Sequence, residues 1–402
     1  MTTRRRASGP LLGVRVLELA TVVAGPTAGG ILADLGADVI KIEPPGGDTS
    51  RHVGASKGKV SLWWKYLGRN KRSIAIDLNT EKGRELVLQL VATADVLIES
   101  FRPGTLERWN LSPELLLEHF PHLVIARITG YGRTGPYADQ PAFGTLIEAM
   151  SGFADINGAF DGPPTLPPVA LADYLTGYAT TIAVLASLRA RDSGGAGGQV
   201  ADINLLSPLL SMLNLQIIQT DQTGVCPTRI GSRMVTTSPR NVYITADNKW
   251  VAVSGTSAKM ASQLLELAGR PDLCENEWFS TGGGRFAHVD EIDLAMQDWT
   301  SKHSLAEILN AARAVGATLG PVNDISQLLH DDQIAANGML AEIDDPDLGT
   351  VSVPNLLFNL EQTPGLIEWL GEELGASTDD VLGELNLSDS EIATLKATGV
   401  VR

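Results

Sequence analysis

Val14-Arg15-Val16-Leu17-Glu18-Leu19, then Pro26 to Leu35, then Asp38-Val39-Ile40-Lys41-Ile42-Glu43: this stretch decides the fold. Its two ends are short runs rich in Val, Ile and Leu, with the size and composition of buried strands. The middle reads as a helix with a proline near its start, where a missing N–H does no harm. A strand, a helix and a strand in close succession make a βαβ unit, whose two strands lie parallel. The pattern repeats downstream. Ser73 to Asp77 and Asp95 to Glu99 read as strands. Between them lies a helix capped by Asn79 or Thr80, with Leu86, Val87, Leu90, Val91 and Ala94 on one face. Pro113 to Phe120 follows as a helix and Leu123 to Ile128 as a strand. The fold class is therefore α/β, with a parallel sheet covered by helices.

Further out, Thr145 to Phe153, Tyr174 to Arg189 and Leu205 to Gln219 read as helices, with a strand at Val200 to Asn204. From about Arg229 the character changes. Val242 to Thr245 and Trp250 to Val253 flank Asp247-Asn248 as a hairpin. Helices at Ser257 to Leu267, Val289 to Lys302 and Ser304 to Val315 complete a smaller α+β domain. After Leu329 the chain is loop-rich, and a last helix ends at Thr398.

The 402 residues exceed one ordinary core, so two domains are expected. A net charge of −16 makes duplex nucleic acid and anionic membrane poor partners. The two cysteines, Cys226 and Cys274, stand in no motif, and the histidines are scattered, so neither a disulfide framework nor zinc is expected. Arg4-Arg5-Arg6 before an apolar run imitates a signal peptide, but Arg15 and Glu18 interrupt that run. No run of 18 apolar residues occurs, so no membrane span is predicted and a cytoplasmic location is expected.

Five stretches bear on the chemistry. Pro168-Val169-Ala170-Leu171-Ala172-Asp173-Tyr174-Leu175-Thr176-Gly177 sets one aspartate among small and apolar residues at the start of a helix. An unpaired buried carboxylate is costly, so Asp173 either caps that helix or is held desolvated for chemistry, and the two readings are compatible. Gly25-Pro26-Thr27-Ala28-Gly29 lacks the GxGxxG pattern, which disfavours a nicotinamide site and favours close helix–strand packing. Arg69-Asn70-Lys71-Arg72-Ser73 is the main basic cluster, and Arg102, Arg108, Arg127 and Arg133 add charge at loop ends. Guanidinium groups there suit phosphates. Glu99-Ser100-Phe101-Arg102-Pro103-Gly104 and Thr129-Gly130-Tyr131-Gly132-Arg133 follow strands and offer an aromatic face and open backbone to a ligand.

With Leu12-Gly13-Val14-Arg15-Val16-Leu17-Glu18, Ala24-Gly25-Pro26, Phe101-Arg102-Pro103-Gly104, Gly130-Tyr131-Gly132 and Ala149-Met150-Ser151-Gly152, the chain resembles the family III CoA-transferases from Gly9 to Val401. That family includes formyl-CoA transferase, carnitine CoA-transferase and alpha-methylacyl-CoA racemase. The resemblance implies a Rossmann-like large domain, a small α+β domain and an interlocked, ring-like homodimer. It divides the chain into a disordered tail at 1–9, a large CoA-binding domain at 10–205 and a linker helix at 206–228. A small domain at 229–328 follows, and then a segment at 329–402 that returns to the large domain. It makes Asp173 the nucleophile, and it lays coenzyme A along Val22, Val23, Ala24, Ile76, Asn79, Ser100, Phe101 and Arg108, with Arg72 and Arg102 as additions. Acyl-CoA and a carboxylic acid are then the substrates, with no permanently bound cofactor and no metal. Succinyl-CoA is the expected donor.

Two departures narrow the choice. Formyl-CoA transferase carries Gln and Glu where this chain has Val23 and Gly144, which argues against an oxalate or formate site. The racemase branch carries a His-Asp pair where this chain has Phe143 and Gly144, which leaves the alternative, epimerisation of an acyl-CoA, without one of its two proton carriers.

Overall fold

The computed structural model describes residues 8–402, so residues 1–7 of the expected tail lie outside it. Ser8 and Gly9, the last two residues of that expected tail, lie against the Leu35–Gly36 turn. Six strands form one parallel sheet: β1 (Arg15–Glu18), β2 (Asp38–Glu43), β3 (Lys71–Ala75), β4 (Val96–Glu99), β5 (Val124–Thr129) and β6 (Val200–Asn204). The helices between them are α1 (Ala24–Asp34), α2 (Leu62–Leu67), α3 (Glu81–Val91), α4 (Thr105–Arg108), α5 (Pro113–His119), α6 (Gly144–Met150) and α7 (Leu171–Asp192). The spatial order is β3-β2-β1-β4-β5-β6. This doubly wound order reverses direction between β1 and β4, and open α/β sheets bind ligands at such a point, beyond the carboxyl ends of the strands.

One face of the sheet packs Leu17, Ile40, Ile74, Leu97 and Ile125 against Leu86, Val87 and Leu90 of α3. The same core takes Val381 and Leu382 from α11 (Thr378–Glu384), Ile392 and Leu395 from α12 (Asp389–Ala397), and Val400 and Val401. That segment is also stitched to the β3 edge: Asp77 N–H donates to the Val400 carbonyl at 2.8 Å and Ser73 N–H to Glu372 Oε2 at 3.1 Å. The 22-residue α7 is long and apolar enough to cross a membrane by length and composition alone, but it lies along α1 and against β5 and β6.

Between α1 and the sheet runs a buried ionic cluster. Glu18 of β1 lies 3.0 Å from Lys41 Nζ and 2.7 Å from Lys71 Nζ, and Lys41 also meets Asp48 at 2.8 Å. Burial alone would lower the Lys41 pKa, but the Glu18 and Asp48 carboxylates override it and hold the ammonium charged. Lys71 has Glu18 and the Pro26 carbonyl, and burial pushes it down to about 8. A methyl group on Gly29 would overlap Glu18 Oε2 and stand 3.0 Å from Cδ. Gly29 thus serves close approach of α1 to this cluster, while Gly25 lets the helix start lie against Ala20.

The second compact unit comprises residues 152–166 and 216–334. Its sheet is antiparallel, with β8 (Trp250–Ser254) between β7 (Arg240–Ile244) and β9 (Leu319–Pro321). Tyr243, Val251 and Val253 pack there with Leu264 of α8 (Ala258–Leu267), Met296 of α9 (Val289–Thr300) and Ile308 of α10 (Leu305–Val315). The expected small domain at 229–328 did not include residues 152–166. They belong to this unit because Arg229 donates to the Gly162 carbonyl at 3.0 Å and Gly231 N–H to the Gly158 carbonyl at 2.9 Å. The expected linker helix is two helices, Leu206–Met212 and Asn214–Thr223, and the loop-rich segment contains an antiparallel hairpin of β10 (Leu340–Asp345) and β11 (Gly349–Pro354).

Candidate active site

An open cleft of about 920 Å³ lies beyond the carboxyl ends of the central strands. Thr21, Val22 and Ala24 after β1 form one wall, and Ser100, Phe101 and Arg102 after β4 form the other. Thr21 N–H donates to Ser100 Oγ at 3.0 Å and ties the walls together at the switch point. Val22 has φ = 68°, a left-handed conformation that a β-branched residue adopts only under constraint. Its N–H donates to Asp48 Oδ1 at 3.3 Å. Asp48 is held near pKa 2: burial opposes ionisation, but Lys41 and the Ser50 hydrogen bonds outweigh it.

Asp173 opens into the same cleft. It does not cap α7: Ala170 is the N-cap, no side chain fills that role, and Asp173 falls in the first turn. There the helix dipole favours its charge, but burial works against it, and so does Glu148, and the carboxyl is pushed up to about 6. Glu148 of α6 is only 3% exposed, and its Oε1 accepts the Ala172 N–H at 3.0 Å. Gly144 opens α6 directly beneath the aspartate, and a methyl group there would overlap Asp173 Oδ2. The result is a desolvated carboxylate, more basic than usual and aimed into a cleft, which suits attack on a carbonyl.

Of the ten expected coenzyme contacts, five line this cleft with Asp173: Val22, Ala24, Ser100, Phe101 and Arg102. Val23 is buried at the head of α1. Arg108, exposed on α4, is held near the cleft loop by a 3.0 Å bond from Nη2 to Thr105 Oγ1. Ile76 is 1% exposed and paired with Val401, and Asn79 is exposed beyond β3; neither lines the cleft.

Arg72 is a correction. It lies at the amino end of the sheet, where it bonds Asp38 at 2.7 Å and Glu384 at 2.7 Å. The rest of its cluster is equally internal. Arg69 pairs with Asp34 at 2.7 Å and Lys71 with Glu18. Arg127 pairs with Glu99 at 2.5 Å and Arg133 with Glu107 at 3.4 Å. These charges are spent inside the unit. Trp64 is buried beneath the Arg51 guanidinium, whereas Trp63 Nε1 reaches the Tyr174 hydroxyl at 3.3 Å, one residue from Asp173. Glu148 was not singled out from the sequence. The available signal was a carboxylate one turn after Gly144, beside the apolar Ile147, on the buried face of α6.

Residues 11–378 match the family described as CoA-transferase family III. The chain is similar to the succinyl-CoA–D-citramalate CoA-transferase of Chloroflexus aurantiacus, at 36% identity over 400 residues and 99% of each chain. It is similar to the beta subunit of the succinyl-CoA–L-malate CoA-transferase of the same organism, at 37% identity and 98% of each chain. Among solved structures it resembles a CAIB/BAIF family protein from Brucella suis, with a TM-score of 0.82 and 32% identity over 94% of this chain and 100% of that one. Likeness of this extent runs through both compact units, and with it the chain belongs to CoA-transferase family III and is a CoA-transferase.

Proposed function

We propose that the enzyme moves CoA from succinyl-CoA to a second dicarboxylic acid through covalent intermediates on Asp173. The observation that carries this reading is the Asp173 carboxylate, raised in basicity and open to the cleft at the switch point. An Asp173 oxygen attacks the thioester carbon, the C–S bond breaks, and CoA leaves as thiolate, giving a mixed anhydride. The thiolate then attacks Asp173 Cγ and expels the donor's carboxylate, leaving an aspartyl-CoA thioester. The acceptor carboxylate attacks that thioester, CoA leaves again, and a second anhydride forms. Attack of CoA on the acceptor's acyl carbon returns Asp173 as carboxylate. No net proton or metal is consumed, and each step exchanges bonds of similar energy. Relatives that act on succinyl-CoA with D-citramalate or L-malate support dicarboxylic substrates. The lack of the Gln and Glu side chains of formyl-CoA transferase at Val23 and Gly144 argues against an oxalate or formate acceptor.

The working form is proposed to be an interlocked homodimer. The helix Asn214–Thr223 buries none of its residues, and Ile182 on α7 is 67% exposed with Leu146 and Met150 of α6 also exposed. Apolar exposure on this scale suits a subunit interface. Native mass spectrometry on dilution should show dimer until the protein unfolds. Folded, active monomer would refute the interlocked form.

The chemical test is peptide mapping after incubation with succinyl-CoA and a nucleophilic trap. An adduct should appear on Asp173, and Asp173→Ala should lose transfer by about four orders of magnitude or more. Transfer near the wild-type rate in that variant would remove the mechanism.

A further inference from the structure

We propose that Glu148 is a positioning residue for Asp173: it pins the first turn of α7 through the Ala172 amide and sets a second carboxylate behind the reacting one. The inference rests on Asp173 being the acylated group and deepens that reading.

The geometry comes first. A helix leaves its first N–H groups without internal partners, and α7 has no side-chain N-cap to satisfy them. Glu148 does this from another helix, accepting the Ala172 N–H at 3.0 Å from a buried position. Ala172 is the residue before Asp173, so this bond fixes the direction in which the aspartate leaves the helix. Ser151 Oγ donates to the Glu148 carbonyl at 3.0 Å and closes the end of α6. Gly144, one turn before Glu148, leaves the space that the Asp173 carboxylate fills. Three consecutive features of α6 therefore serve one side chain on α7.

The charge follows from the same placement. Two carboxylates close together resist joint ionisation. Acylation turns Asp173 from an anion into a neutral anhydride or thioester, so it removes that repulsion. Glu148 thereby raises the ionised resting enzyme relative to both covalent intermediates. Binding a cation at this place would do the reverse, quenching the nucleophile. The other elements packed on α7 place their ionisable groups elsewhere. Asp34 ends α1 and pairs with Arg69, Arg127 of β5 pairs with Glu99, β6 carries Asp202, and the helix Leu206–Met212 has none. Arg102, exposed in the cleft wall after β4, is the cation placed to meet substrate phosphates or carboxylates.

Glu148→Gln keeps an oxygen for the Ala172 amide and removes the charge, so it separates the two roles. The expected result is an acidic limb of kcat moved down by roughly one pH unit. The turnover number should fall by roughly three- to tenfold, with KM for succinyl-CoA unchanged. Glu148→Ala should lose more, since it also frees the amide, and should melt lower. In the wild type, formation of the Asp173 adduct should itself titrate near the raised value and not in the ordinary aspartate range. An Asp173 adduct with an unmoved limb in folded Glu148→Gln, or wild-type adduct formation with an ordinary aspartate pKa, overturns this proposal alone. Transfer with no adduct on Asp173 removes the nucleophile reading, and this proposal with it.

Discussion

Gly144 and Asp173, one opening α6 and the other in the first turn of α7, meet so closely that a methyl group on the glycine would overlap Oδ2 and stand 3.1 Å from Cγ. The carboxylate occupies the volume that any side chain at 144 would claim. Gly144→Ala should therefore swing Asp173 off its line of attack. A displacement of about 1 Å can cost about 100-fold in rate. Turnover should fall by that order while CoA affinity, read by calorimetry, stays within about twofold. An alanine variant with full activity would show that the aspartate reacts from another rotamer.

The raised Asp173 pKa has a cost in stability. Its carboxyl is pushed up to about 6 in the folded chain against 3.8 for a free aspartate. Between those values the folded state holds a proton that the unfolded state has released, so stability falls as pH rises through this window and stays lower above it. Asp173→Asn should melt higher than wild type near neutral pH, by up to about 3 kcal/mol, and equal it below the window. Identical melting temperatures at about pH 8 would mean that the carboxylate is not strained by its surroundings.

Glu18 offers the opposite case. It is fully buried, and Lys41 and Lys71 both depend on it. Removing one partner of a buried ion pair typically costs about 3–5 kcal/mol. Glu18→Ala should lose about that much in denaturant unfolding. The deficit should shrink as pH rises toward about 8 and level off above it, because Lys71 holds its proton up to about 8 with Glu18 present and sheds it earlier in the folded variant without that carboxylate. A loss below about 1 kcal/mol would mean the cluster relaxes or admits water.

Arg108 is exposed on α4 and makes its bond to Thr105 within its own turn, so its charge remains available. A charge-assisted bond to a phosphate is worth about 1.5–3 kcal/mol. Arg108→Ala should weaken CoA binding roughly tenfold or more, with added salt weakening the wild type further. Turnover at saturating donor should change much less. Unchanged affinity in calorimetry would take this residue out of the site.

Phe143 is 66% exposed in the cleft wall and Gly144 has no side chain, so the cleft presents no base in that place. A 2-methylacyl-CoA incubated in D2O should show negligible α-deuteration. Exchange at rates comparable with CoA transfer would revive the epimerase alternative.

The strands were legible because buried parallel strands are runs of Val, Ile and Leu, and the sheet follows from their alternation with helices. The cleft residues Ser100, Phe101 and Arg102 were legible because they follow such a strand. Arg72 misled because a basic run looks the same whether it meets solvent or acids distant in the chain; Asp38 and Glu384 reach it only through folding. Glu148 escaped for a related reason: its partner is a backbone amide on another helix, which no local pattern encodes. Residues 152–166 were placed within the large domain at 10–205, whereas long-range bonds from Arg229 and Gly231 decide their place.

The attachment of residues 366–402 to the β3 edge has a consequence for synthesis. All six sheet strands have been made once Asn204 is polymerised, yet Val381, Leu382, Ile392 and Leu395 of their shared core are not made until nearly as many residues again have followed. During that interval the growing chain exposes an apolar sheet face and an open edge on the ribosome, with the small unit emerging in between. Vectorial folding cannot complete the sheet unit first, and its nascent form is the state most exposed to aggregation.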